Sequence, residues 1–544
     1  MDISKRIALL SATLFFPLFA SAQESQGIDD KINEWFMPIA TAWEGLVLTT
    51  VPIAGSNIPI VLILLVVGAT FFTVYFSFVN IVKFPLAINV VRGKYDDLEG
   101  ASEVDTHALV HIEDGDIIGT LKDEGHHGEV SHFQALATAV SGTVGLGNIA
   151  GVAVAIAIGG PGATFWMIVC GLLGMSSKFV ECTLGVKYRD VDENGVVYGG
   201  PMYYLSKGLK ERGMAGFGKV LAIIFAVMCV GASFGGGNAF QSNQAAAQIQ
   251  TLFGIEGGAS GVVIGIVLAI VVAVVIIGGI KRIANVTGKV VPFMAGIYVL
   301  ACLVIIFANF SLVDDALIMI FTQAFTPAAG FGGLIGVVIV GFQRAAFSNE
   351  AGAGSAAIAH SAVKTKFPAS EGIVALLEPF IDTVVICTMT ALVIIFFNGA
   401  DVQGDVFAYA DVQNQKVLID GVRVGGVDLT SMAFNSVIPG FSYVLTIAIV
   451  LFAFSTMISW SYYGLQSWKY LFGRGKGADL AYKIIFLIFV VIGAAISLDA
   501  VIKFSDAMIL ALVFPNMIGL LFLFPRVKEE MNRYMTAIKG MVTG

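Results

Sequence analysis

The chain has 544 residues, of which 57% are hydrophobic and only 13% are charged. Soluble domains carry about 25% charged residues, so this chain has too few polar groups to cover a soluble enzyme, a nucleic-acid-binding protein or a disordered protein of its length. The formal net charge of -8 adds little, because the acidic residues lie mainly in predicted loops. The composition therefore predicts an all-α protein that crosses a membrane several times.

Residues 1–22 have the pattern of a secretory signal peptide. Lys5 and Arg6 precede a short apolar run, which ends in the small residues Ala20, Ser21 and Ala22. A run of this length is too short for a bilayer, which needs about 20 residues. We expect cleavage near residue 22, with an uncleaved first helix as the alternative.

Residues 23–57 follow as a periplasmic segment. Apolar residues recur there at helical spacing, and Trp35 and Trp43 lie on the same face. An amphipathic helix of this kind can lie in the headgroup layer with its tryptophans as anchors. A plain connector explains the segment equally well.

Eleven apolar segments are candidates for membrane-spanning helices. They lie at residues 58–81, 136–159, 162–185, 217–249, 259–280, 288–310, 330–358, 371–397, 440–467, 480–498 and 503–525. Almost all Lys and Arg residues between them fall in one set of alternating loops, whereas Lys31, Lys416, Arg423 and Lys503 fall in the other. Because basic loops favour the cytoplasm, we expect a multi-pass protein of a bacterial inner membrane with its N-terminus in the periplasm and its C-terminus in the cytoplasm.

This orientation assigns the loops. Residues 82–135 form a cytoplasmic loop, residues 311–329 and 398–439 form periplasmic loops, and residues 526–544 form a cytoplasmic tail. Apolar residues around Asp-Gly turns predict one β-hairpin in the first loop and one in the last periplasmic loop; the strands are residues 109–112 with 117–118, and 417–419 with 422–424.

The cytoplasmic loop also holds five of the six histidines. They are His107, His111, His126, His127 and His132. Their spacing fits no standard metal site, so we interpret them as residues of a solvated loop.

Two of the predicted spans are interrupted by glycines and polar residues. The second contains SGTVGLGNIAG at residues 141–151, and the seventh contains FSNEAGAGS at residues 347–355. A glycine within a helix costs about 1 kcal/mol relative to alanine, so several together favour local unwinding. Unwound backbone persists at membrane depth only where it is buried in protein or lines a cavity. There its amides can bind a carboxylate and its carbonyls a cation.

The positions of the two breaks predict an inverted repeat. They lie five spans apart, and because five is odd the second copy enters the membrane from the opposite face. We expect residues 136–310 and 330–525 to be two five-helix repeats, preceded by an extra helix at 58–81. Close helix packing alone would explain the glycines, but not Arg344, Asn349 and Glu350, which cost several kcal/mol unless paired or hydrated.

Two further spans carry polar residues at membrane depth. Asn238 and Gln241 in the fourth span are three residues apart and so share a helix face; Gln241 could bond a small zwitterion or another helix. In the ninth span, Ser455 and Thr456 could supply hydroxyl oxygens to Na⁺ or bond back to their own helix. Trp460, one turn later, could form a wall of a substrate cavity.

Charged residues at helical spacing give two more predictions. Lys178 and Glu181, three apart in the third span, are interpreted as a structural ion pair. Glu378 and Asp382, four apart in the eighth span, could serve as a gate or a proton relay. The chain shows no nucleophile–base or metal constellation typical of an enzyme.

Three segments carry a resemblance to a known family: GLGNIAG at 145–151, FSNEAG at 347–352 and STMISWSYYG at 455–464. Together they closely resemble the alanine or glycine:cation symporter family, a likeness that extends over nearly all of residues 58–525. That family belongs to the amino acid–polyamine–cation superfamily. The resemblance implies the five-plus-five inverted-repeat fold of bacterial sodium-coupled leucine transporters, with 11 transmembrane helices, two of them broken.

The resemblance also implies where ligands bind. The candidates for substrate binding are the amides of Thr143, Gly145 and Gly147, the side chains of Asn148 and Gln241, and Trp460 as a pocket wall. The candidates for the sodium site are the carbonyls of Ser141 and Val144 and the hydroxyls of Ser455 and Thr456.

We therefore expect a sodium-coupled symporter that imports alanine or glycine by alternating access. Its partners would be the amino acid, Na⁺ and the lipid bilayer, with no nucleic acid and no obligatory protein partner. One alternative is a proton-coupled symporter that uses Glu350, Glu378 or Asp382. A gated ion channel is another, although the sequence has no repeated pore loop of the filter type.

Overall fold

The computed structural model describes residues 27–53, 56–99, 111–113, 116–118, 128–193, 195–255, 257–277, 279–325, 333–397, 415–419 and 422–543. The predicted signal peptide lies outside these residues, as do His107, His126 and His127. The described part of the chain is mostly helical, with a single large apolar core that runs through the helix bundle.

The helices are numbered here in chain order. They are α1 Ile28–Val47, α2 Ile60–Tyr75, α3 Val79–Val82, α4 Phe84–Val91, α5 Asp96–Glu99, α6 His132–Thr143, α7 Gly147–Gly159, α8 Gly162–Lys187, α9 Pro201–Glu211, α10 Ala215–Phe253, α11 Ser260–Ile276, α12 Gly279–Ala308, α13 Val313–Gln323, α14 Gly333–Asn349, α15 Ala356–His360, α16 Pro368–Phe397, α17 Val427–Val437, α18 Phe441–Phe472, α19 Lys476–Ala495 and α20 Leu498–Thr543. Three of them contain π-helical turns, at Gly147–Gly151 in α7, Gly235–Ala239 in α10 and Phe380–Cys387 in α16.

Many of these helices are suited to a membrane. Within the described residues, seven are long and apolar enough to cross a bilayer, and the bent pair α6 and α7 forms an eighth candidate. Three shorter apolar helices, at Ile60–Tyr75, Ser260–Ile276 and Leu334–Asn349, coincide with three more of the predicted segments. The structure thus supports a multi-pass membrane protein, while the count of eleven spans and the repeat stay predictions.

The predicted amphipathic segment is a helix. In α1, Phe36 and Ala40 are buried while Trp35 is 62% exposed, and the helix packs along α20. Its position in the headgroup layer stays a prediction. Asp29 in its first turn fixes it to α11, because the carboxylate accepts from the amides of Gly261 at 2.9 Å and Val262 at 3.3 Å.

Both predicted hairpins are confirmed. Strands His111–Glu113 and Asp116–Ile118 pair antiparallel, as do Lys416–Ile419 and Val422–Gly425. Two more hairpins are present that the sequence analysis did not predict, Thr50–Ile53 with Ser56–Pro59 and Asp190–Val191 with Val197–Tyr198.

The first predicted break is a sharp bend. A capping box of Ser131 and Gln134 starts α6, which ends where Val144 leaves the helical region with ψ 85°. After this interruption α7 continues at 50° to α6. The second break separates α14 from α15, and there the backbone takes positive φ at Glu350 (55°), Gly352 (91°) and Gly354 (84°). Left-handed backbone cannot continue a helix, so both sequence breaks are true interruptions.

We expect Asp29→Ala to lower the free energy of unfolding by about 1 kcal/mol, because it removes the acceptor at the N-terminus of α11. Chemical unfolding of the full chain in detergent measures this. The matched control is Asp30→Ala, since Asp30 bonds only the exposed amide of Gly27 among the bonds seen in the described residues. Equal losses for the two variants would contradict the capping role of Asp29.

Candidate functional site

The first break brings together three of the residues predicted to bind sodium. The carbonyl of Ser141 accepts a hydrogen bond from Thr456 Oγ1 at 3.0 Å, and the hydroxyl of Ser141 donates to the carbonyl of Ser455 at 2.9 Å. All three residues are buried. Two oxygens that each bind one cation at about 2.4 Å lie roughly 3 Å apart, so the Ser141 carbonyl and the Thr456 hydroxyl are spaced as two ligands of one ion would be.

The hydroxyl of Ser455 has a different orientation from the one the sequence analysis predicts. It donates to the carbonyl of Phe452 in its own helix at 3.0 Å, which is the back-bonding alternative. Ser455 therefore faces Ser141 with its carbonyl. The fourth candidate, Val144, ends α6, so its carbonyl no longer follows the helical direction.

The amides of the break are bound by side chains. Gly145 N–H donates to Asn148 Oδ1 at 2.9 Å, and Leu146 N–H donates to Gln241 Oε1 at 3.0 Å. The Gln241 amide group in turn donates to the Gly236 carbonyl at 2.9 Å. Two side chains predicted to contact the substrate thus occupy amides at the break, which are the groups available to a carboxylate.

A close approach at Gly145 joins these two sets of residues. A Cβ on Gly145 would lie 2.4 Å from Thr456 Oγ1 and 3.1 Å from Gln241 Oε1. Glycine is therefore required there for steric reasons. A Cβ on Gly147 would lie 3.5 Å from the Cα of Ser348, so the first break also faces the second.

Asp382 connects the two breaks. Its carboxylate accepts from Asn148 Nδ2 at 2.6 Å, from Ser348 Oγ at 2.8 Å and from Thr383 Oγ1 at 2.7 Å. The Asn148 amide group also donates to the Asp382 carbonyl at 3.0 Å. The sequence signal for Asp382 was its charge within an apolar segment, but its link to Asn148 depends on the tertiary structure.

Trp460 lies between the second break and α10. Its indole N–H donates to Glu350 Oε1 at 2.9 Å. A Cβ on Gly237 would lie 2.2 Å from Trp460 Cγ, so the ring packs directly on the glycine backbone. Trp460 is 1% exposed, and its role as a pocket wall stays a prediction.

The expectation that Asn238 and Gln241 share a helix face was wrong. Asn238 donates to the carbonyl of Phe486 at 2.7 Å and so faces α19, whereas Gln241 faces the first break. The π-helical turn at Gly235–Ala239 changes the helical spacing on which the shared face depended. The remaining substrate candidate, Thr143, was predicted through its amide, which stays a prediction; its hydroxyl donates to the carbonyl of Ala139 in its own helix at 3.3 Å.

The expected ion pair between Lys178 and Glu181 is also corrected. Lys178 Nζ forms its salt bridge with Glu378 Oε1 at 3.0 Å, across to α16. Glu181 instead accepts from Asn516 Nδ2 at 2.9 Å. Spacing along one helix finds local neighbours, but it does not find a counter-ion on another helix.

The prediction that the charged groups of the seventh span need partners is confirmed. Arg344 pairs with Asp506 of α20, and its guanidinium carbon lies 5.4 Å from the ring centre of Phe347. Glu350 accepts hydrogen bonds from Ser355 and Trp460. These contacts offset the cost of burying charge that the sequence implied.

A family model, the sodium:alanine symporter family, matches residues 46–542. The chain belongs to this family. Its function therefore lies in amino-acid symport across a membrane, as the three motif segments indicated.

Two relatives show how close the match is. The sodium/alanine symporter AgcS of Methanococcus maripaludis is 39% identical over 477 residues, covering 88% of this chain and 94% of the relative. The putative sodium/proton-dependent alanine carrier protein YrbD of Bacillus subtilis is 38% identical over 412 residues, covering 75% of this chain and 81% of the relative.

Among solved structures, MhsT in complex with L-phenylalanine aligns with 74% of this chain and 100% of its own, at 14% identity and a TM-score of 0.47.

We expect Gly145→Ala to weaken sodium-dependent binding of alanine at least about 10-fold, or roughly 1.4 kcal/mol. The added methyl group would displace Thr456 and Gln241, and overpacking of this kind typically costs 1–3 kcal/mol, as a rough range. Equilibrium binding of [³H]alanine to the purified protein measures the effect. Gly151→Ala is the matched control, because a Cβ there meets nothing within 4 Å. Similar affinities for both variants would show that the ligands bind elsewhere.

Proposed function

We propose that the chain imports a small neutral amino acid, alanine or glycine, together with Na⁺ by alternating access. The observation that carries this proposal is the contact between Thr456 and the carbonyl of Ser141 at the first break. It places a hydroxyl and a helix-terminal carbonyl, both hard oxygen ligands, beside the backbone that would bind the substrate. The names of the two relatives support alanine as the substrate and sodium as the coupling ion.

The substrate would bind where side chains now hold the backbone amides. Gln241 occupies the Leu146 amide, and Asn148 occupies the Gly145 amide. An amino-acid carboxylate is a stronger acceptor than a side-chain amide, so it could replace these contacts. The close approach of Gly145 to Thr456 and of Gly237 to Trp460 leaves little room for side chains at the break, which favours glycine or alanine.

Coupling follows because ion and substrate share one segment. Residues 141–148 carry both the sodium candidates and the substrate candidates, so occupation of one site changes the conformation that the other requires. In thermodynamic terms, Na⁺ would raise the affinity for the amino acid, and the amino acid would raise the affinity for Na⁺ by the same factor.

The proposed orientation has the N-terminus in the periplasm and the C-terminus in the cytoplasm. The basic residues of one set of loops favour the cytoplasm for that set, and contacts between loops of the same set support their placement on a common side. On the cytoplasmic side, Lys187 pairs with Glu530 at 2.5 Å, and Asp190 pairs with Lys207 at 3.1 Å and Arg474 at 3.2 Å. Although partial burial opposes it, these two cations hold the pKa of the Asp190 carboxyl below its usual value.

Periplasmic segments also meet one another. Asp29 of α1 binds the amides that begin α11, and Asn33 accepts from the amide of Ser497 at 2.9 Å. The two sets of contacts agree with the predicted division of the loops between two sides. We propose in addition that residues 136–310 and 330–525 form the two repeats and that residues 58–81 form the additional helix.

Uptake of [³H]alanine into proteoliposomes tests the proposed function. We expect an inward Na⁺ gradient to drive accumulation and replacement of Na⁺ by choline to abolish it. Unlabelled glycine should compete with the labelled alanine, and leucine should not. Uptake that is equally fast in choline would contradict sodium coupling, and competition by leucine equal to that by alanine would contradict the small substrate.

Thr456→Val tests the proposed sodium ligand. The variant keeps the side-chain shape and removes the hydroxyl, and hydrogen bonds or ligands to charged groups are worth about 1.5–3 kcal/mol. We therefore expect the concentration of Na⁺ for half-maximal uptake to rise about 10- to 100-fold. Thr536→Val is the control, because this exposed hydroxyl bonds only the carbonyl of Asn532 in its own helix, among the bonds seen in the described residues. An unchanged sodium dependence in Thr456→Val would remove Thr456 from the ion site.

A further inference from the structure

A chain of buried charges begins at the end of the bundle that the topology assigns to the cytoplasm. Glu99 Oε2 lies 2.7 Å from His132 Nε2, and His132 Nδ1 contacts Glu371. Glu371 Oε1 lies 2.5 Å from His360 Nδ1, and His360 Nε2 lies 3.5 Å from Glu378 Oε2. Lys178 then pairs with Glu378 and ends the chain. The side chains of these residues are at most 6% exposed.

The two histidines belong to helices that the breaks create. His132 is the first residue of α6, the cytoplasmic half of the first broken helix, and His360 is the last residue of α15, which follows the second break. Glu371 comes from the first turns of α16 and contacts both. One carboxylate therefore holds the inner halves of the two broken helices together.

The hydrogen-bond geometry requires protons. An ionised carboxylate only accepts, and a neutral imidazole can donate from only one of its nitrogens. His132 has carboxylate oxygens within hydrogen-bond distance of both ring nitrogens, so it requires one proton more than a neutral imidazole between ionised carboxylates. His360 bonds Glu371 through Nδ1, whereas its Nε2 lies 3.5 Å from Glu378 Oε2 without a hydrogen bond. The two carboxylates face the buried His360 ring from two sides, and their charge favours a second proton there. With those two protons, the carboxylates of Glu99, Glu371 and Glu378 face two imidazolium groups and Lys178. The charges of these six side chains then sum to zero.

Other charged groups face the chain from the elements around it. At the Glu99 end of this chain of charges, Tyr534 of α20 donates to Glu99 at 2.6 Å, and Asp96 interacts electrostatically with His132. Arg189 interacts electrostatically with Glu371 while it donates to the carbonyls of the segment after α15, at 2.8 Å to Ser361. None of these groups replaces the second proton on an imidazole, because none of these contacts removes a carboxylate from either ring.

At its Lys178 end the chain of charges reaches the second break. Lys178 interacts electrostatically with Glu181 and Glu350 as well as with Glu378, and Asp382 lies close enough to interact with Glu378. Glu350 is the first residue of the break and bonds Trp460. The charges that begin at Glu99 therefore extend to the residues beside the proposed substrate site.

A cavity gives protons access to the buried charges at His132. It has a volume of about 310 Å³ and its lining includes His132, Asp96, Arg92, Glu129 and Lys364. The lining is charged, which suits water, and it lies at the cytoplasmic mouth of the bundle in the proposed orientation. His132 is the member of the chain that borders this cavity.

We propose that His132, Glu371 and His360 form a two-proton binding site that holds the inner halves of the broken helices together. Binding of the two protons favours the closed inner face. When α6 and α15 separate, the imidazoles lose a carboxylate partner, water enters, and both protons leave through the cavity. The assignment to the cytoplasmic side rests on the proposed function and its orientation.

Backbone contacts in the same region do not titrate. Glu129 N–H donates to the Ala362 carbonyl at 2.7 Å, and Lys364 N–H donates to the Val130 carbonyl at 2.9 Å. They also join the start of α6 to the segment after α15. Any dependence of this closure on pH must therefore come from side chains.

A distance measurement between spin labels tests the site. Phe133→Cys in α6 and Lys366→Cys in the segment after α15 place labels at exposed positions on the two sides of the two-proton site, and the five native cysteines are buried. Release of two protons on opening makes the ratio of open to closed molecules rise by up to about 100-fold per pH unit. We expect one short distance at pH 5.5 and a longer distance that becomes dominant by pH 8.5.

Single substitutions identify the groups that bind the protons. His132→Gln and His360→Gln remove one titrating ring each, so we expect at most about a 10-fold change per pH unit in either variant. Glu371→Gln removes the bridge and should give the long distance at both pH values. Thr536→Val, the exposed position used above as a control, should keep the full dependence.

The result that overturns the site is a wild-type distance that does not change between pH 5.5 and 8.5. A full pH dependence in both His132→Gln and His360→Gln also overturns it, because the protons would then bind elsewhere. Uptake of [³H]alanine by the labelled protein is measured in parallel. Failure of sodium-driven uptake with an intact pH response would reject the proposed function alone, whereas normal uptake without a pH response would reject the proton site alone.

Discussion

The structure depends on one constraint: backbone groups that are freed inside a membrane protein must find partners inside the protein. Four such groups at the two breaks are bound by side chains from other helices or from the break itself. The amides of Gly145 and Leu146 bind Asn148 and Gln241, the Ile149 carbonyl accepts from Thr430, and the Gly352 carbonyl accepts from Asn516. The breaks are therefore stable features that bring together α10, α17 and α20.

The same constraint explains how the proposed sodium site and the proposed proton site can lie on one helix. Side-chain amides are weaker partners than a carboxylate or a cation, so the breaks are satisfied without ligand and remain able to exchange partners. Ser141 and His132 lie on α6 nine residues apart, about 13 Å along the axis. A rigid helix of that length would transmit a movement at its His132 end to the proposed sodium site.

Buried carboxylates form a second set of links between the helices. Asp382 joins Asn148 of the first break to Ser348 beside the second, and Glu371 joins His132 to His360. Each carboxylate is held by partners from two helices that need not move together. Removing one partner would leave a buried charge uncompensated, which is costly, so these pairs favour discrete arrangements over gradual deformation.

The sequence by itself determined the class of the protein and the places where its helices break. Low charge and long apolar segments required a membrane, and glycines with polar residues at 141–151 and 347–355 marked the interruptions, because composition acts locally on helix stability. The motif at 455–464 pointed to Thr456 through its family resemblance. The hairpins at the Asp-Gly turns were also local, and both were predicted.

Only the tertiary structure decided which polar groups meet. Lys178 binds Glu378 and not Glu181, Asn238 turns away from Gln241, and Ser455 offers its carbonyl. His132 seemed one of several loop histidines, and nothing local linked it to His360, more than two hundred residues away. Counter-ions across helices are chosen by packing in three dimensions, and the spacing of residues along one helix does not contain that information.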